Sequence, residues 1–153
     1  MGQVTTDRVG YLIKRAQMVL HDAMADALGS HGLTVSQFAV LTGLDEEPGL
    51  SNADLARRTF VTPQSMHAVL LELERLQFVV RRPHPAHQRV LQAELTETGR
   101  RTLRSANSSV NAVEEQMLRK LTNPVRSRLA SALSSCIDSL AEASASSGAR
   151  RPG

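Results

Sequence analysis

The chain has 153 residues, a formal net charge of +3 at pH 7 and only 3% aromatic residues, with no tryptophan and one tyrosine. This length fits a single domain with an ordinary core, and a core limited to leucine, valine, alanine and methionine favours helices. One cysteine, Cys136, excludes an intrachain disulfide framework and a cysteine-rich zinc site, and no apolar run is long enough to span a bilayer, so we expect a cytoplasmic protein.

The first predicted helix begins at Thr6 or Asp7 and ends at Gly29. Its apolar residues recur at helical spacing and form one stripe, so this amphipathic helix needs a partner surface. A second helix begins at Thr34, where Thr34 and Gln37 have the spacing of a capping box, and ends near Leu44. Residues 1–6 and 143–153 lack a packing pattern, and we expect them to be disordered tails.

A short helix, a break and a longer helix follow. Ser51 can cap the first of these, which covers about residues 53–58, and Thr62 followed by Pro63 begins the next. In that longer helix one face is apolar. The apolar face consists of Met66, Val69, Leu70, Leu73 and Leu76, and the opposite face begins with Gln64, Ser65, His67 and Ala68. Small and amide side chains on the first exposed turns suit insertion into the major groove of DNA.

Two strand-like runs, residues 78–82 and 89–95, flank a tip rich in proline and histidine. They predict a β-hairpin, the wing of a winged helix-turn-helix. Positive charge concentrates here, because residues 75–104 contain seven arginines against two glutamates, whereas residues 1–56 contain three basic and seven acidic residues. This asymmetry is typical of a nucleic-acid-binding protein, although a solvated basic face explains the charge equally well.

Two further amphipathic helices are predicted after the wing. Thr96 can cap the first, and Asn123 and Pro124 separate it from the second, whose stripe includes Cys136. The three long apolar stripes are larger than the surface that a small monomer can provide to cover them. We therefore expect a homodimer that forms through the terminal helices. A monomer with these helices folded on its own core is the less favoured alternative. Cys136 is expected to be buried in its stripe.

The order and spacing of several motifs resemble the MarR family of bacterial transcription regulators. The resemblance implies a mainly α fold with a small β-hairpin wing, in which a winged helix-turn-helix lobe (residues 33–96) lies between dimerisation helices (residues 7–32 and 97–142) of a single domain. The matching motifs are Leu33-Thr34-x-x-Gln37-Phe38-x-Val40-Leu41, Asp54-Leu55-Ala56, Leu73-Glu74-Arg75, Val79-x-Arg81-Arg82-Pro83, Arg89 and Leu95-Thr96-x-x-Gly99.

Four positions depart from the family pattern. His87 stands where the wing usually has an aspartate two residues before Arg89, and His84 replaces an earlier aspartate. Ala68 replaces a basic residue of the recognition helix, and Gln77 replaces the glycine that commonly ends that helix. The missing carboxylates remove a restraint on the guanidinium of Arg89 and put the sequence preference, but not the fold, in question.

The resemblance and the helix pattern together imply contacts with double-stranded DNA. We expect base or phosphate contacts from the recognition helix and phosphate or minor-groove contacts from arginines. The predicted DNA-binding residues are Arg57, Thr62, Gln64, Ser65, His67, Arg81, Arg82 and Arg89. The alternative is that the exposed polar residues only solvate the helix.

The family also implies a repressor that a small acidic or phenolic effector releases from a pseudo-palindromic operator. We expect the effector in a cleft lined by the first helix, the Thr34 helix and the start of the Thr96 helix. The candidate residues are Tyr11, Arg15, Met18 and Phe38, and the alternative is that Tyr11, Met18 and Phe38 belong to the core and Arg15 to the surface. No cofactor, metal or catalytic site is expected, since His84 and His87 offer only two ligands. The competing function is a winged-helix dimer that acts as a protein-interaction or non-specific DNA-binding module.

Overall fold

A computed structural model describes residues 8–59 and 61–148 of the chain. These residues form two compact units, one extending to Glu114 and one beginning at Glu115. The predicted helix start at Thr6 or Asp7 lies outside the described residues. The elements are α1 (Val9–Gly29), α2 (Val35–Glu46), β1 (Leu50–Ser51), α3 (Asn52–Thr59), α4 (Pro63–Arg75), β2 (Val79–Pro83), β3 (Leu91–Leu95), α5 (Glu97–Leu118) and α6 (Asn123–Gly148).

Side-chain caps begin the helices where the sequence predicts them. Thr34 Oγ1 accepts a hydrogen bond from Gln37 N at 3.2 Å, and Gln37 Oε1 accepts one from Thr34 N at 2.9 Å, which confirms the predicted capping box of α2. Ser51 Oγ accepts from Asp54 N at 3.2 Å at the start of α3. Each cap satisfies an amide that has no partner within its helix and so fixes the residue at which the helix begins.

One apolar core holds the first unit together. Helix α2 and the sheet supply the largest shares, and the end of α1 with the loop after it, α3, α4 and the first half of α5 complete it. Its members are Leu28, Leu33, Phe38, Val40, Leu41, Leu44, Leu50, Leu55, Ala56, Met66, Leu70, Leu73, Val79, Ala93, Leu95, Leu103 and Ala106. Burial of an aliphatic side chain contributes about 1.5–3 kcal/mol, so this set supplies the main stabilisation of the DNA-binding lobe.

The sheet has three antiparallel strands in the order β1-β3-β2. The hairpin of β2 and β3 confirms the predicted wing, and Val79 pairs with Leu95 in its register. The two-residue strand β1 was not predicted: Leu50 pairs with Ala93 and Ser51 with Gln92. Because β1 leads directly into α3, this pairing attaches the wing to the start of the helix-turn-helix.

The first turn of α5 rests on the backbone that follows α4. Thr96 N donates to Phe78 O at 3.0 Å, and Thr96 Oγ1 donates to Gln77 O at 2.6 Å. Thr96 Oγ1 also accepts from Gly99 N at 3.0 Å, so the predicted cap of this helix is confirmed. A Cβ atom on Gly99 would overlap the carbonyl oxygen of Phe78, which explains the glycine in the Thr96-x-x-Gly99 motif.

In the second unit α6 is a single helix of 26 residues. It extends to Gly148, so the prediction of a disordered tail from residue 143 is wrong for residues 143–148; the rest of that predicted tail lies outside the described residues. Alanines favour the helix there, and Ser144 Oγ bonds back to Leu140 O at 2.9 Å. At the other end, Arg126 pairs with Glu115, Nη1 to Oε2 at 2.8 Å.

The terminal helices expose their apolar stripes in the single chain. Leu129, Leu133, Ile137 and Leu140 of α6 are exposed, and Cys136 among them is exposed rather than buried as predicted. Val9, Leu12 and Ile13 of α1 and their neighbours Met18 and Val19 are exposed as well. Within the described part of the chain, every helix is too short or too polar to cross a membrane.

Substitution of Gly99 by alanine tests the contact between α5 and Phe78. Gly99→Ala is expected to lower the free energy of unfolding by about 1–3 kcal/mol, because the methyl group has to displace a backbone carbonyl. Gly43→Ala is the matched control in α2: its Cβ would lie 3.7 Å from Leu55 Cδ2, an ordinary contact, so stability should rise by about 0.5–1 kcal/mol. Urea denaturation measures both, and equal stability of the two variants would contradict the packing.

Gln77 adopts the left-handed conformation that the missing glycine would normally occupy, with φ of 60°. Gln77→Gly should raise the free energy of unfolding by about 0.5–1 kcal/mol, because relief of about 1–2 kcal/mol of left-handed strain exceeds the entropic cost of glycine. Gln77→Ala keeps the Cβ atom and the strain, so it should leave stability nearly unchanged. A Gln77→Ala variant as stable as Gln77→Gly in urea denaturation would show that the conformation carries no strain.

Candidate nucleic-acid interface

The start of α4 exposes polar side chains on a rigidly held helix. Thr62 caps it, since Thr62 Oγ1 accepts from Ser65 N at 3.2 Å, and Pro63 occupies the first turn as predicted. Met66, Leu70 and Leu73 are buried on the opposite face. The exposed side chains on the first turns are those of Gln64, Ser65, His67 and Ala68. The arrangement presents hydrogen-bonding groups at the end of a helix whose rotation and depth are fixed by its core face.

Thr62 has a positioning role in this arrangement. Its hydroxyl accepts from the Ser65 amide and donates to Ser65 Oγ at 3.0 Å, so it is already engaged in the cap. The amide group of Gln64 and the imidazole ring of His67 belong to residues that are exposed in the single chain. Of the predicted residues on this helix, Gln64 and His67 are therefore free to approach a base edge, and the Ser65 hydroxyl, which accepts from Thr62, can still donate to one.

A side-chain bond that the sequence did not indicate joins the two helices of the motif. Asn52 Nδ2 at the start of α3 donates to Pro63 O in the first turn of α4 at 3.1 Å. Val61 N donates to Ala56 O at 3.1 Å and closes the connection between the helices. Asn52 directly follows β1, which pairs with the wing. Residues 50–52 therefore contact both the wing and the recognition helix.

Arg57 lies on the exposed face of α3 with 78% of its side chain accessible. It pairs with Asp54, whose carboxylate also accepts from Ser51 Oγ at 2.6 Å. The Ser51 hydroxyl, followed by the Arg57 guanidinium, holds the pKa of Asp54 below its ordinary value. Asp54 therefore stays ionised at neutral pH, and Arg57 keeps an exposed guanidinium that can also reach a phosphate.

The wing tip is closed by its own backbone. His84 N donates to Val90 O at 2.8 Å, and Val90 N donates to His87 O at 2.8 Å. His84 Nδ1 accepts from Ala86 N at 3.0 Å, and the rings of His84 and His87 lie 5.4 Å apart. Arg89 is exposed in this turn, and Arg82 is exposed on β2. Both arginines are therefore exposed on the hairpin, and their predicted contacts with DNA stay a prediction.

Arg81 differs from the prediction of a phosphate or minor-groove contact. Its side chain is only 13% exposed, and Nη2 lies 2.5 Å from Glu74 Oε2. Strand alternation places Arg81 on the same face as buried Val79 and opposite buried Ala93. The guanidinium therefore joins the wing to the end of α4, and it is not available to DNA in this arrangement.

The predicted effector residues do not come together. Tyr11, Arg15 and Met18 lie on the exposed first half of α1, where the Arg15 guanidinium carbon is 5.9 Å from the centre of the Tyr11 ring. Phe38 is buried on α2 and lines a separate cavity with Met24.

Among residues 8–59 and 61–148, no group of three or more His, Cys, Asp or Glu side chains is arranged to hold a metal ion.

Comparison with known proteins identifies the family. Residues 31–90 match the sequence profile of the MarR family. The chain is 40% identical over 124 residues to the HTH-type transcriptional repressor Rv2887 of Mycobacterium tuberculosis. This alignment covers 81% of the present chain and 89% of Rv2887. The chain therefore belongs to the MarR family, whose members are transcription regulators.

Solved structures agree with this assignment. The transcriptional repressor CouR of Rhodococcus jostii RHA1, bound to a 23-mer DNA duplex, superimposes with a TM-score of 0.80 at 28% identity and covers 89% of this chain and 99% of its own. Rv2887 in complex with salicylic acid gives a TM-score of 0.70 at 37% identity, with 84% of this chain and 96% of that one covered. The resemblance to MarR regulators and the predicted winged-helix fold are thus confirmed.

Proposed function

We propose that the protein is a sequence-specific repressor that binds double-stranded DNA through the first turns of α4. The observation that carries the proposal is the capped, core-anchored start of this helix, which exposes Gln64, Ser65 and His67. A helix of this kind fits the major groove, where base edges differ in their donor and acceptor patterns. Repression is supported by the similarity to Rv2887 and CouR, both of which are named transcriptional repressors.

The proposed contacts divide into base recognition and phosphate binding. Gln64 can donate and accept simultaneously, which suits the N6 and N7 edge of adenine. Arg57, Arg82 and Arg89 carry exposed charge on both sides of α4 in the sequence and suit phosphates or the minor groove. The wing lacks a carboxylate beside Arg89, so that arginine would hold its pose through DNA contacts and not through an internal ion pair.

The proposed regulator acts as a homodimer. The exposed apolar residues of α1 and α6, up to 72% accessible at Leu140, need a covering surface, and a second copy of the chain supplies an identical set. Burial in such a dimer would also account for Cys136 among apolar neighbours. Two recognition helices related by two-fold symmetry would bind half-sites roughly 34 Å apart, which implies a pseudo-palindromic operator.

Regulation by a small effector completes the proposal. Rv2887 is known in complex with salicylic acid, which supports the expected acidic or phenolic class of effector. An effector weakens DNA binding only if it binds better to a chain arrangement that does not fit the operator. The proposal includes no catalytic activity, and it assigns the protein to the cytoplasm because its target would be chromosomal DNA.

A second candidate function draws on two departures from the family pattern. Ala68 provides no hydrogen bond to a base where a basic residue is common, and His87 replaces the carboxylate that would orient Arg89. A dimer with these changes could bind DNA without sequence preference or serve as a protein-interaction module. The exposed amide of Gln64, which can pair with a base edge, supports specific recognition over this alternative.

Separate substitutions distinguish base recognition from charge. On the duplex upstream of the gene for this protein, Gln64→Ala should weaken binding by about 1–3 kcal/mol and leave binding to an unrelated duplex unchanged. Arg89→Ala should weaken binding to both duplexes by similar factors and lower the slope of log affinity against log salt by about one. Fluorescence anisotropy titrations at several salt concentrations measure these effects.

Arg119→Ala is the control for the loss of charge, because Arg119 is exposed at the end of α5 and is not part of the proposed interface. It should leave the affinity and the salt slope unchanged. If the upstream and unrelated duplexes bind the unmodified protein equally, and Gln64→Ala reduces neither, specific repression is excluded and the non-specific module is favoured.

A further inference from the structure

Two apolar side chains lie on the face of α4 that is opposite to its core face. Gln64, Ala68, Leu71 and Arg75 recur at steps of four, three and four residues, so they share one face of the helix. Leu71 is 48% exposed, and Ala68 is exposed beside it. Since the buried residues of α4 lie on the other side, packing within the described part of the chain does not account for a leucine here.

The guanidinium at the end of this face is already paired. Arg75 is the only arginine or lysine of α4. Its Nε donates to Glu72 Oε2 at 2.8 Å, and its Nη2 donates to Glu72 Oε1 at 2.5 Å. Arg75 holds the pKa of the Glu72 carboxyl below its ordinary value, so the carboxylate is ionised at neutral pH and the pair has no net charge. A contact between Arg75 and guanine, the base that arginine most often reads, would break both bonds.

The groups that remain on this face match A·T pairs. In the major groove adenine presents an acceptor and a donor, which the Gln64 amide can meet, and thymine presents a 5-methyl group that favours apolar contact. A helix rises about 1.5 Å per residue, so Ala68 and Leu71 lie about 6 Å and about 10 Å beyond Gln64 along the axis. These distances correspond to about two and three base-pair steps, so the three side chains can meet different base pairs of one half-site.

We infer that Ala68 and Leu71 contact the 5-methyl groups of thymines in the major groove, and that the base pairs facing α4 in each half-site are A·T pairs. The inference rests on the proposed function, since it requires this face of α4 to lie in the groove. It adds two specificity-determining residues and the identity of the base pairs. The short side chain of Ala68 is part of the arrangement, because a long basic side chain at this position would compete with Leu71 for the same base edges.

Deoxyuridine is a matched probe for these contacts, because it pairs with adenine as thymidine does and lacks only the 5-methyl group. In a duplex that the full chain selects from a random pool, each thymidine of one half-site is replaced by deoxyuridine in turn. At one or two positions the loss of the methyl group should weaken binding about three- to fivefold, as expected for one apolar group of this size. At the other positions the replacement should have no effect, so these serve as internal controls.

Two variants assign the response to a side chain. Leu71→Ala should weaken binding to the selected duplex and should no longer respond to deoxyuridine at the position that Leu71 contacts. Gln64→Ala should also bind more weakly, but it should keep the full deoxyuridine response, because Gln64 reads a different base pair. Both side chains are exposed, so urea denaturation should show that neither variant is less stable than the unmodified protein.

A third variant changes the base that is read. Ala68→Arg should select guanine at one position of each half-site, where the unmodified protein selects an A·T pair, because arginine bonds to two acceptors of guanine. The inference is overturned if every deoxyuridine duplex binds as tightly as its parent. It is also overturned if Leu71→Ala and Ala68→Arg both keep the full deoxyuridine response at every position, since the methyl groups would then be read by other residues.

The outcomes for this inference and for the proposed function are distinguishable. A protein that selects an operator but does not respond to deoxyuridine refutes the inference and leaves the proposed function intact. A protein that selects no sequence refutes the proposed function, and a duplex of alternating dA and dT is then compared with its counterpart of alternating dA and dU. The unmodified protein should bind the first duplex more tightly and Leu71→Ala should reduce the difference, whereas equal binding by the unmodified protein would overturn the inference as well.

Discussion

The contact between the first turn of α5 and the backbone of Gln77 and Phe78 is the constraint on which the DNA-binding lobe depends. Gly99 permits α5 to approach the Phe78 carbonyl, and Thr96 bonds to both preceding residues. Phe78 N in turn donates to Leu73 O at the end of α4 at 2.9 Å. The recognition helix is thus held at its far end by the same short segment that begins the predicted dimerisation helix.

The near end of the recognition helix is held by a different set of bonds. The Thr62 cap, the bond from Asn52 to Pro63 and the pairing of β1 with β3 connect α4 to α3 and to the wing. The end of α3 also lines the cavity beside Phe38, together with residues of α1 and α2.

The charges of the lobe divide into internal and external ones. Arg58 is shared by Glu46 and Glu47, and Arg81 is paired with Glu74 inside the junction between α4 and the wing. Arg82 and Arg89 remain exposed on the hairpin. The positive charge available to DNA is therefore smaller than the count of arginines in the sequence suggests, and it includes Arg57 on α3 as well as the two wing arginines.

Local signals in the sequence were sufficient for most of the fold. Thr34, Thr62 and Thr96 cap helices where their neighbours predict it, because a cap depends on a few adjacent residues. The strand Leu50–Ser51 has two residues and depends on a partner some forty residues away, so no local pattern indicates it. The burial of Arg81 could have been predicted from the sequence, because strand alternation from Val79 places Arg81 on the core face.

The site was predicted less completely than the fold. Gln64 and Arg89 could be nominated because exposed faces follow from helix and hairpin periodicity. The cavity beside Phe38 could not, because it arises where α1, α2 and α3 pack against one another. Sequence periodicity shows which face of a helix is buried, and it carries no information about the space left between buried faces.

Sequence-specific recognition by α4 can be tested by selecting duplexes from a random DNA pool with the purified full chain. The selected duplexes should share a pseudo-palindrome whose half-sites are about one helical turn apart, and Gln64→Ala should relax the preference at one position of each half-site. A folded protein that binds the pool but enriches no sequence would contradict recognition through the exposed face of α4.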